Sequence, residues 1–322
     1  MAWQIAMKAI DFAFSSENVK IGAIGIFGGE SLMEWRLVER IVVYAEKKYK
    51  VNKFDIATNG LLLTKKRLEY FVRHNISPSI SIDGIREAQD ANRVTSNGKG
   101  SFDKLRGKLA LLATYRKLLR KIEIIISISP ETVKYLSESI NYLVAQGFYG
   151  KNVRFNLRPA ISTENNWNSE ATLEFEKQLF LVGDIFIRNY KKKRYLNISP
   201  HEDQPADYYL LKAAKLKDTL SCKAGEELLG VGIDGKIYPC YAFASCNEGG
   251  KEAFCMGNVN VETIQRLLER ADFFKKQNNK CLSCHFWNWS KGGSFNEPLE
   301  VYHEFYKAWI KVSKYVIKKI KC

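Results

Sequence analysis

From residue 21 to about 160 the chain switches repeatedly between two hydrophobic periods, and this alternation constrains its fold more than any other feature. Short apolar or β-branched runs read as strands over Ile21–Phe27, Phe54–Thr58, Ser79–Ile82, Ile122–Ile128 and Val153–Leu157. Between them the spacing is helical. Val38, Ile41, Val42 and Ala45 share a face, as do Leu68, Phe71 and Val72, and later Val133, Leu136, Ile140 and Leu143. Thr64 and Ser101 suit helix N-caps. Strands nearly apolar on both faces and joined through helices predict an α/β domain, a parallel sheet covered by helices.

Ligands of such sheets gather where strands end and loops begin. Three exits carry glycine: Gly28-Gly29-Glu30, Thr58-Asn59-Gly60 and Asp83-Gly84. The run Ile24 to Glu30 is expected to be a buried strand ending in a glycine turn that offers one carboxylate to a small-molecule site. Glu30 has two readings. Its carboxylate can accept hydrogen bonds from a ligand ammonium, or it compensates the positive end of the helix that follows.

No apolar run is long enough to span a bilayer; Phe180 to Ile187 is short and carries a charge. Met1 to Phe14 lacks the features of a signal peptide, so a cytoplasmic protein without a membrane role is expected. The 50 Lys and Arg against 35 Asp and Glu give a net charge of +15. That balance favours acidic partners or simply marks a lysine-rich solvated surface, with runs such as Lys47-Lys48 and Lys191-Lys192-Lys193. Stacking aromatics are not interleaved with the basic residues, so nucleic acid is not an expected partner. Lys311 to Lys321 reads as a basic amphipathic surface helix. None of the seven cysteines precedes Cys222, and six fall between Cys222 and Cys284. In a cytosolic chain such clustering favours metal over disulfides.

The runs Phe27-Gly28-Gly29-Glu30-Ser31-Leu32, Thr58-Asn59-Gly60, Ser79-Ile80-Ser81-Ile82-Asp83-Gly84, Asp90-x-x-Arg93 and Gly98-x-Gly100-Ser101-Phe102 together resemble the radical S-adenosylmethionine (SAM) superfamily. The nearest likeness is to the branch that matures peptides and proteins and carries a SPASM extension. The resemblance implies a partial (β/α)6 barrel over residues 1–200 and a SPASM-like module over 201–322. It assigns Gly28, Gly29 and Glu30 to the loop that holds the SAM amino group, and places Ser81 and Asp83 near the ribose or carboxylate. The Cys-x-x-x-Cys-x-x-Cys loop of the family, whose [4Fe–4S] cluster cleaves SAM, is expected before Met1. The first barrel strand would be missing as well, because Trp3 to Phe14 resembles the helix after that loop. The chain therefore reads as truncated or catalytically impaired, and no catalytic residue is assigned.

The same resemblance matches Cys222, Gly235 and Cys240 to the first part of a SPASM domain, with Asp234 to Cys240 as its hairpin and Gly257-Asn258 following. Cys281-x2-Cys284 is a knuckle whose sulfurs can face one metal. Ser290 and Ser294 stand where two more cysteines are expected, and His303 where a last ligand falls. The ligand set is thus Cys222, Cys240, Cys281 and Cys284, with three readings open. These are an auxiliary Fe–S cluster completed by Cys246, Cys255 or His303, a zinc site on the knuckle, and metal-free cysteines. His285 reads as an exposed loop residue, and His74 and His201 belong to no constellation. Tyr241 follows Cys240 where sulfatase-maturing members carry an Asp base, which disfavours that reaction. The expected function is modification of a peptide or protein using SAM and iron–sulfur clusters. The alternative is a non-catalytic protein that binds SAM or a peptide.

Overall fold

The computed structural model describes residues 1–15, 20–160, 167–199, 228–244, 255–261, 267 and 297–321. Six strands form one sheet in chain order: β1 (Ile24–Ile26), β2 (Phe54–Thr58), β3 (Ile76–Ser81), β4 (Ile122–Ile128), β5 (Val153–Pro159) and β6 (Asn197–Ser199). The pairs β3–β4, β4–β5 and β5–β6 are parallel. The parallel α/β expectation holds, and β6 is a strand the periodicity did not announce. The chain divides into two compact units, residues 1–54 with 218–299, and 55–217 with 300–322.

In the first unit, α1 (Trp3–Ala13) packs on α2 (Trp35–Tyr49). Val38, Ile41, Val42 and Ala45 line the buried face of α2, as their spacing predicts. Asp11 of α1 accepts hydrogen bonds from Tyr44 Oη at 2.7 Å, Tyr49 Oη at 2.7 Å and Lys48 Nζ at 2.9 Å. Partial burial pushes its carboxyl up, but these three donors outweigh burial and hold it below the usual carboxylate range. Trp3 meets Tyr44 edge-on at 5.5 Å, and the Arg40 guanidinium lies 4.2 Å from the Trp3 ring centre. A second, three-stranded sheet, β7 (Gly230–Val231), β8 (Lys236–Tyr238) and β9 (Gly257–Asn258), is antiparallel throughout. Phe12 of α1 enters the core of that sheet with Ile237, Met256, Val259 and Leu267.

β1 corrects one expectation. It spans only Ile24–Ile26 and is half-exposed rather than buried. It is the terminal strand of the sheet order, and its neighbours Gly22, Ala23 and Gly25 carry little side chain to cover it.

In the second unit the remaining strands alternate with α3 (Lys65–Arg73), α4 (Arg86–Asn92), α5 (Phe102–Tyr115), α6 (Leu136–Ala145) and α7 (Ser169–Lys191). Leu68 and Phe71 are buried on α3, while Val72 is half-buried; Val133, Leu136, Ile140 and Leu143 are all buried. Thr64 caps α3, accepting from Arg67 N at 3.3 Å. Ser101 does not cap α5: Asp90 Oδ1 accepts from Phe102 N at 2.8 Å instead. Gly100 makes this possible, since a Cβ there would lie 2.1 Å from the Asp90 carboxyl carbon. The last helix, α8 (Glu297–Lys321), buries Phe305, Ala308, Trp309, Val312 and Val316. A Cβ on Gly183 of α7 would sit 3.0 Å from Val316 and 3.1 Å from Val312, so the two helices approach closely there. The basic stretch from Lys311 is thus the wet side of a packed helix. No described helix is long and apolar enough to cross a membrane.

A second correction concerns the faces of the sheet. The row Ile122, Ile124, Ile126 and Ile128 is apolar and buried, but the alternate positions include the polar Glu123 and Ser127 beside Ile125. One register row reads Ser79, Glu123, Arg154, Asn197 across four strands. Within this row Glu123 has partners on both neighbouring strands. Glu123 accepts from Ser79 Oγ at 3.0 Å and Asn156 Nδ2 at 3.4 Å, and lies 3.7 Å from Arg154 Nε.

Asp83, just past β3, ties three segments. Its Oδ2 accepts from Arg93 Nε at 2.9 Å, and its Oδ1 accepts from Arg93 Nη2 at 3.0 Å and Ser127 N at 2.7 Å. Its own N–H donates to Gln89 Oε1 at 2.8 Å, and Gln89 Nε2 donates to Ser101 Oγ at 2.9 Å. Burial pushes the Asp83 carboxyl up and Arg93 only partly offsets it.

Two outcomes are expected. Arg93→Ala strands a buried carboxylate and should cost about 3–5 kcal/mol in denaturant titration at pH 7. It lifts the folded-state pKa of Asp83 further, so the deficit should shrink from pH 7 to pH 5, where a protonated Asp83 needs no cation. Asp11 behaves oppositely, because its folded-state pKa is depressed. Its contribution is full above the unfolded value of about 3.9 and is lost as pH falls through the folded value. Thermal melts should therefore show a smaller drop in Tm between pH 5 and pH 3 for Asp11→Asn than for the parent chain.

Candidate functional site

β1 delivers Phe27 to a turn in which Gly28 has φ +149°, a backbone conformation that favours glycine. Glu30 follows as the N-cap of a 3-10 turn, Ser31–Glu34, and accepts from Leu32 N at 3.0 Å. The capping reading of Glu30 is thus realised. Gly29 is different in kind. Its φ is not positive, and a Cβ built on it meets no atom within 4 Å. Among the described residues neither backbone conformation nor packing requires glycine there, so its main chain is open to close approach.

The other two glycine exits have internal reasons. Gly60 has φ +80°, in a turn where Thr58 Oγ1 accepts from Gly60 N and Asn59 Oδ1 from Leu61 N. Gly84 has φ +116°, and a Cβ would lie 2.7 Å from the Ser139 Cα of α6. Ser81 is half-buried at the end of β3, and Asp83 is buried in its clamp with Arg93. Gly28, Gly29 and Glu30 lie in the first unit, and Ser81 and Asp83 in the second. Gln89 and Ser127, which complete the Asp83 clamp, were missed from sequence; the Asp90-x-x-Arg93 spacing was the available signal.

The polar face of the second unit also carries unmet groups. Among the described residues, Asn156 Oδ1 and Asn197 Oδ1 are buried without a hydrogen-bond partner. A buried acceptor costs free energy unless something donates to it, so this face is suited to a polar ligand or ordered water.

The hairpin forms as expected, with Gly230 opposite Tyr238, Val231 opposite Ile237, and Gly235 in the turn at φ +81°. Cys240 lies just beyond β8, in the turn that opens the helical segment Tyr241–Ala244. A Cβ on Gly230 would come within 2.6 Å of the Cys240 carbonyl oxygen and 2.8 Å of the Tyr241 Cα, so only glycine lets this turn close on β7. The β8–β9 register, Lys236 opposite Asn258 and Ile237 opposite Gly257, carries Cys255 to the same end of the pair as Cys240. Both thiols are half-buried and free of disulfides, and Cys255 Sγ donates to Gly257 O at 3.3 Å. The two thiols among the described residues, Cys240 and Cys255, suit a thiolate-ligated cluster in donor chemistry. Cys222, Cys246, Cys281, Cys284, His285, Ser290, Ser294 and His201 lie outside the described residues, and His303 falls within α8. Among the described residues no three metal-ligating side chains converge.

Comparison with known proteins agrees with this geometry. Residues 222–285 match SPASM, an iron–sulfur cluster-binding domain. The chain is 30% identical over 266 residues to the uncharacterized protein MJ0907 of Methanocaldococcus jannaschii, covering 81% of this chain and 79% of that one. It is 22% identical to the cysteine-type anaerobic sulfatase-maturating enzyme of Clostridium novyi, over 81% of this chain and 69% of the enzyme. Identity is also 22% to the radical SAM cyclopropyl synthase TigE of Paramaledivibacter caminithermalis, over 86% of this chain but 54% of the synthase. The fold is shared with native anSMEcpe solved with bound AdoMet and Cp18Cys peptide, with a TM-score of 0.69, 19% identity, and coverage of 99% of this chain and 92% of that one. Together with the ordered glycine and cysteine motifs, these matches establish that the chain belongs to the radical SAM superfamily, in the branch that carries a SPASM domain.

Proposed function

We propose that this protein takes part in peptide or protein maturation, that its Gly28-Gly29-Glu30 turn binds the amino end of SAM, and that Cys240 with Cys222, Cys281 and Cys284 supplies thiolates to an auxiliary iron–sulfur cluster. The observation that carries the reading is Gly29, which alone of the glycines at the three strand exits has no conformational or packing cause among the described residues. A SAM ammonium would draw on exposed main-chain carbonyls there, with Glu30 as the adjoining negative charge. Asp83 acts in this scheme through others, fixing the segments around Ser81 and Ser127. The SAM-binding structure and the peptide-modifying relatives above support the reading.

In this family a reduced [4Fe–4S] cluster supplies the electron that cleaves SAM. Its three thiolates have no counterpart in residues 1–221, which contain no cysteine. No residue within 1–221 is therefore assigned to that cluster. Sulfatase maturation is further disfavoured by Tyr241, because a phenol is a poor substitute for a carboxylate base.

The test is anaerobic reconstitution with iron and sulfide, followed by equilibrium dialysis against labelled SAM. Gly29→Val should weaken SAM binding about 10-fold or more by blocking backbone approach, without loss of thermal stability, since its Cβ has open space. Undiminished binding would refute the assignment of the turn. Cys240→Ser should lower bound iron and sulfide, and equal content in both proteins would remove Cys240 from the ligand set.

A further inference from the structure

Phe27 and Tyr241 stack face to face, with centroids 4.4 Å apart and planes inclined by 9°. They are 214 residues apart in sequence, yet each adjoins a functional element of the first unit. Phe27 immediately precedes Gly28, and Tyr241 immediately follows Cys240. Both rings are set by glycines. A Cβ on Gly25 would lie 2.4 Å from the Phe27 ring, so Phe27 folds back over its own strand only because Gly25 has no side chain. Gly230 in turn admits the Cys240–Tyr241 backbone against β7. Phe27 is 42% exposed, a large apolar side chain at the surface whose described partner is this one ring. Aromatic pairs have preferred mutual geometries and contribute beyond the area they bury.

We infer that the Phe27–Tyr241 stack is a positioning device that holds the Gly28-Gly29-Glu30 turn in register with the Cys240 turn, so that occupancy of one is felt at the other. Its relevance to SAM rests on the reading of the turn proposed above; the mechanical link itself does not. The position after the hairpin cysteine, an acid in sulfatase-maturing members, is here an aromatic that clamps rather than a group that moves protons. Phe27 and Tyr241 act through the turns they hold.

The experiment uses the full, metal-free chain and follows alkylation of Cys240 by iodoacetamide, resolved from the other cysteines by peptide mass spectrometry, with and without SAM. Phe27→Ala should raise the Cys240 alkylation rate at least fivefold, although the change is made on a different element. Tyr241→Ala should match it, whereas Tyr241→Phe should retain the parent rate because the ring and not the hydroxyl does the holding. Circular dichroism melts identify variants that fail to fold, and Phe27→Tyr, which keeps the stack, then serves as the paired comparison with Phe27→Leu. An unchanged rate in Phe27→Ala or Phe27→Leu overturns the link. Added SAM should slow alkylation in the parent and not in Phe27→Ala. Absence of SAM protection in the parent would count against the SAM turn alone, while the ligand-free rates still decide the stack.

Discussion

A carboxylate taken wholly out of water must be given partners, and the second unit is organised around meeting that demand at Asp83. Arg93 reaches back to it from the end of α4 with two nitrogens, and the Ser127 N–H comes to it from β4. Gln89 receives the Asp83 amide and passes the connection to Ser101 at the start of α5. Asp90, one turn of sequence away, caps α5 across the same loop. The exits of β3 and β4 and the start of α5 are thus fixed by one ion and its neighbours. Removing any partner leaves a charge in a low-dielectric setting, which is why such a cluster acts as a unit.

In the first unit the organising constraint is space rather than charge. Gly25 and Gly230 are the two places where a side chain would displace either the Phe27 ring or the Cys240 backbone. The hairpin core, with Phe12 from α1 among Ile237, Met256 and Val259, keeps the cysteine-bearing sheet rigid behind that turn. A soft-metal site benefits from such rigidity, because ligand placement sets cluster affinity before any chemistry occurs. Gly29 differs from both of these glycines in having nothing of its own chain to avoid.

Much of the fold was legible in the residues. β2 and β4 begin and end where their β-branched runs do, and the helix faces through Val38 and Ile140 are buried as spaced. Misreadings have local causes. Ser101 looked like a cap, but Asp90 competes for the same N–H from a neighbouring loop. The strands looked apolar on both faces because Ile, Val and Phe dominate their composition. Yet Ser79, Glu123 and Arg154 fall on alternate positions and line up only once parallel register joins them. Period alone does not tell which polar residues will be neighbours across strands.

What the sequence determined by itself was the alternation that makes a helix-covered parallel sheet, the motif order that marks the family, and the thiol-rich segment that marks the SPASM module. Residue type and spacing suffice for these, because they depend on local periodicity and on the chemistry of side chains. Tertiary structure decided which of the glycines at the strand exits has no internal cause among the described residues, and it turned Asp83 into the hub of a buried clamp. It also stacked Phe27 beside the opening turn onto Tyr241 beside Cys240. Those outcomes depend on distances between residues far apart in the chain, and on burial that follows from packing, neither of which a linear pattern carries.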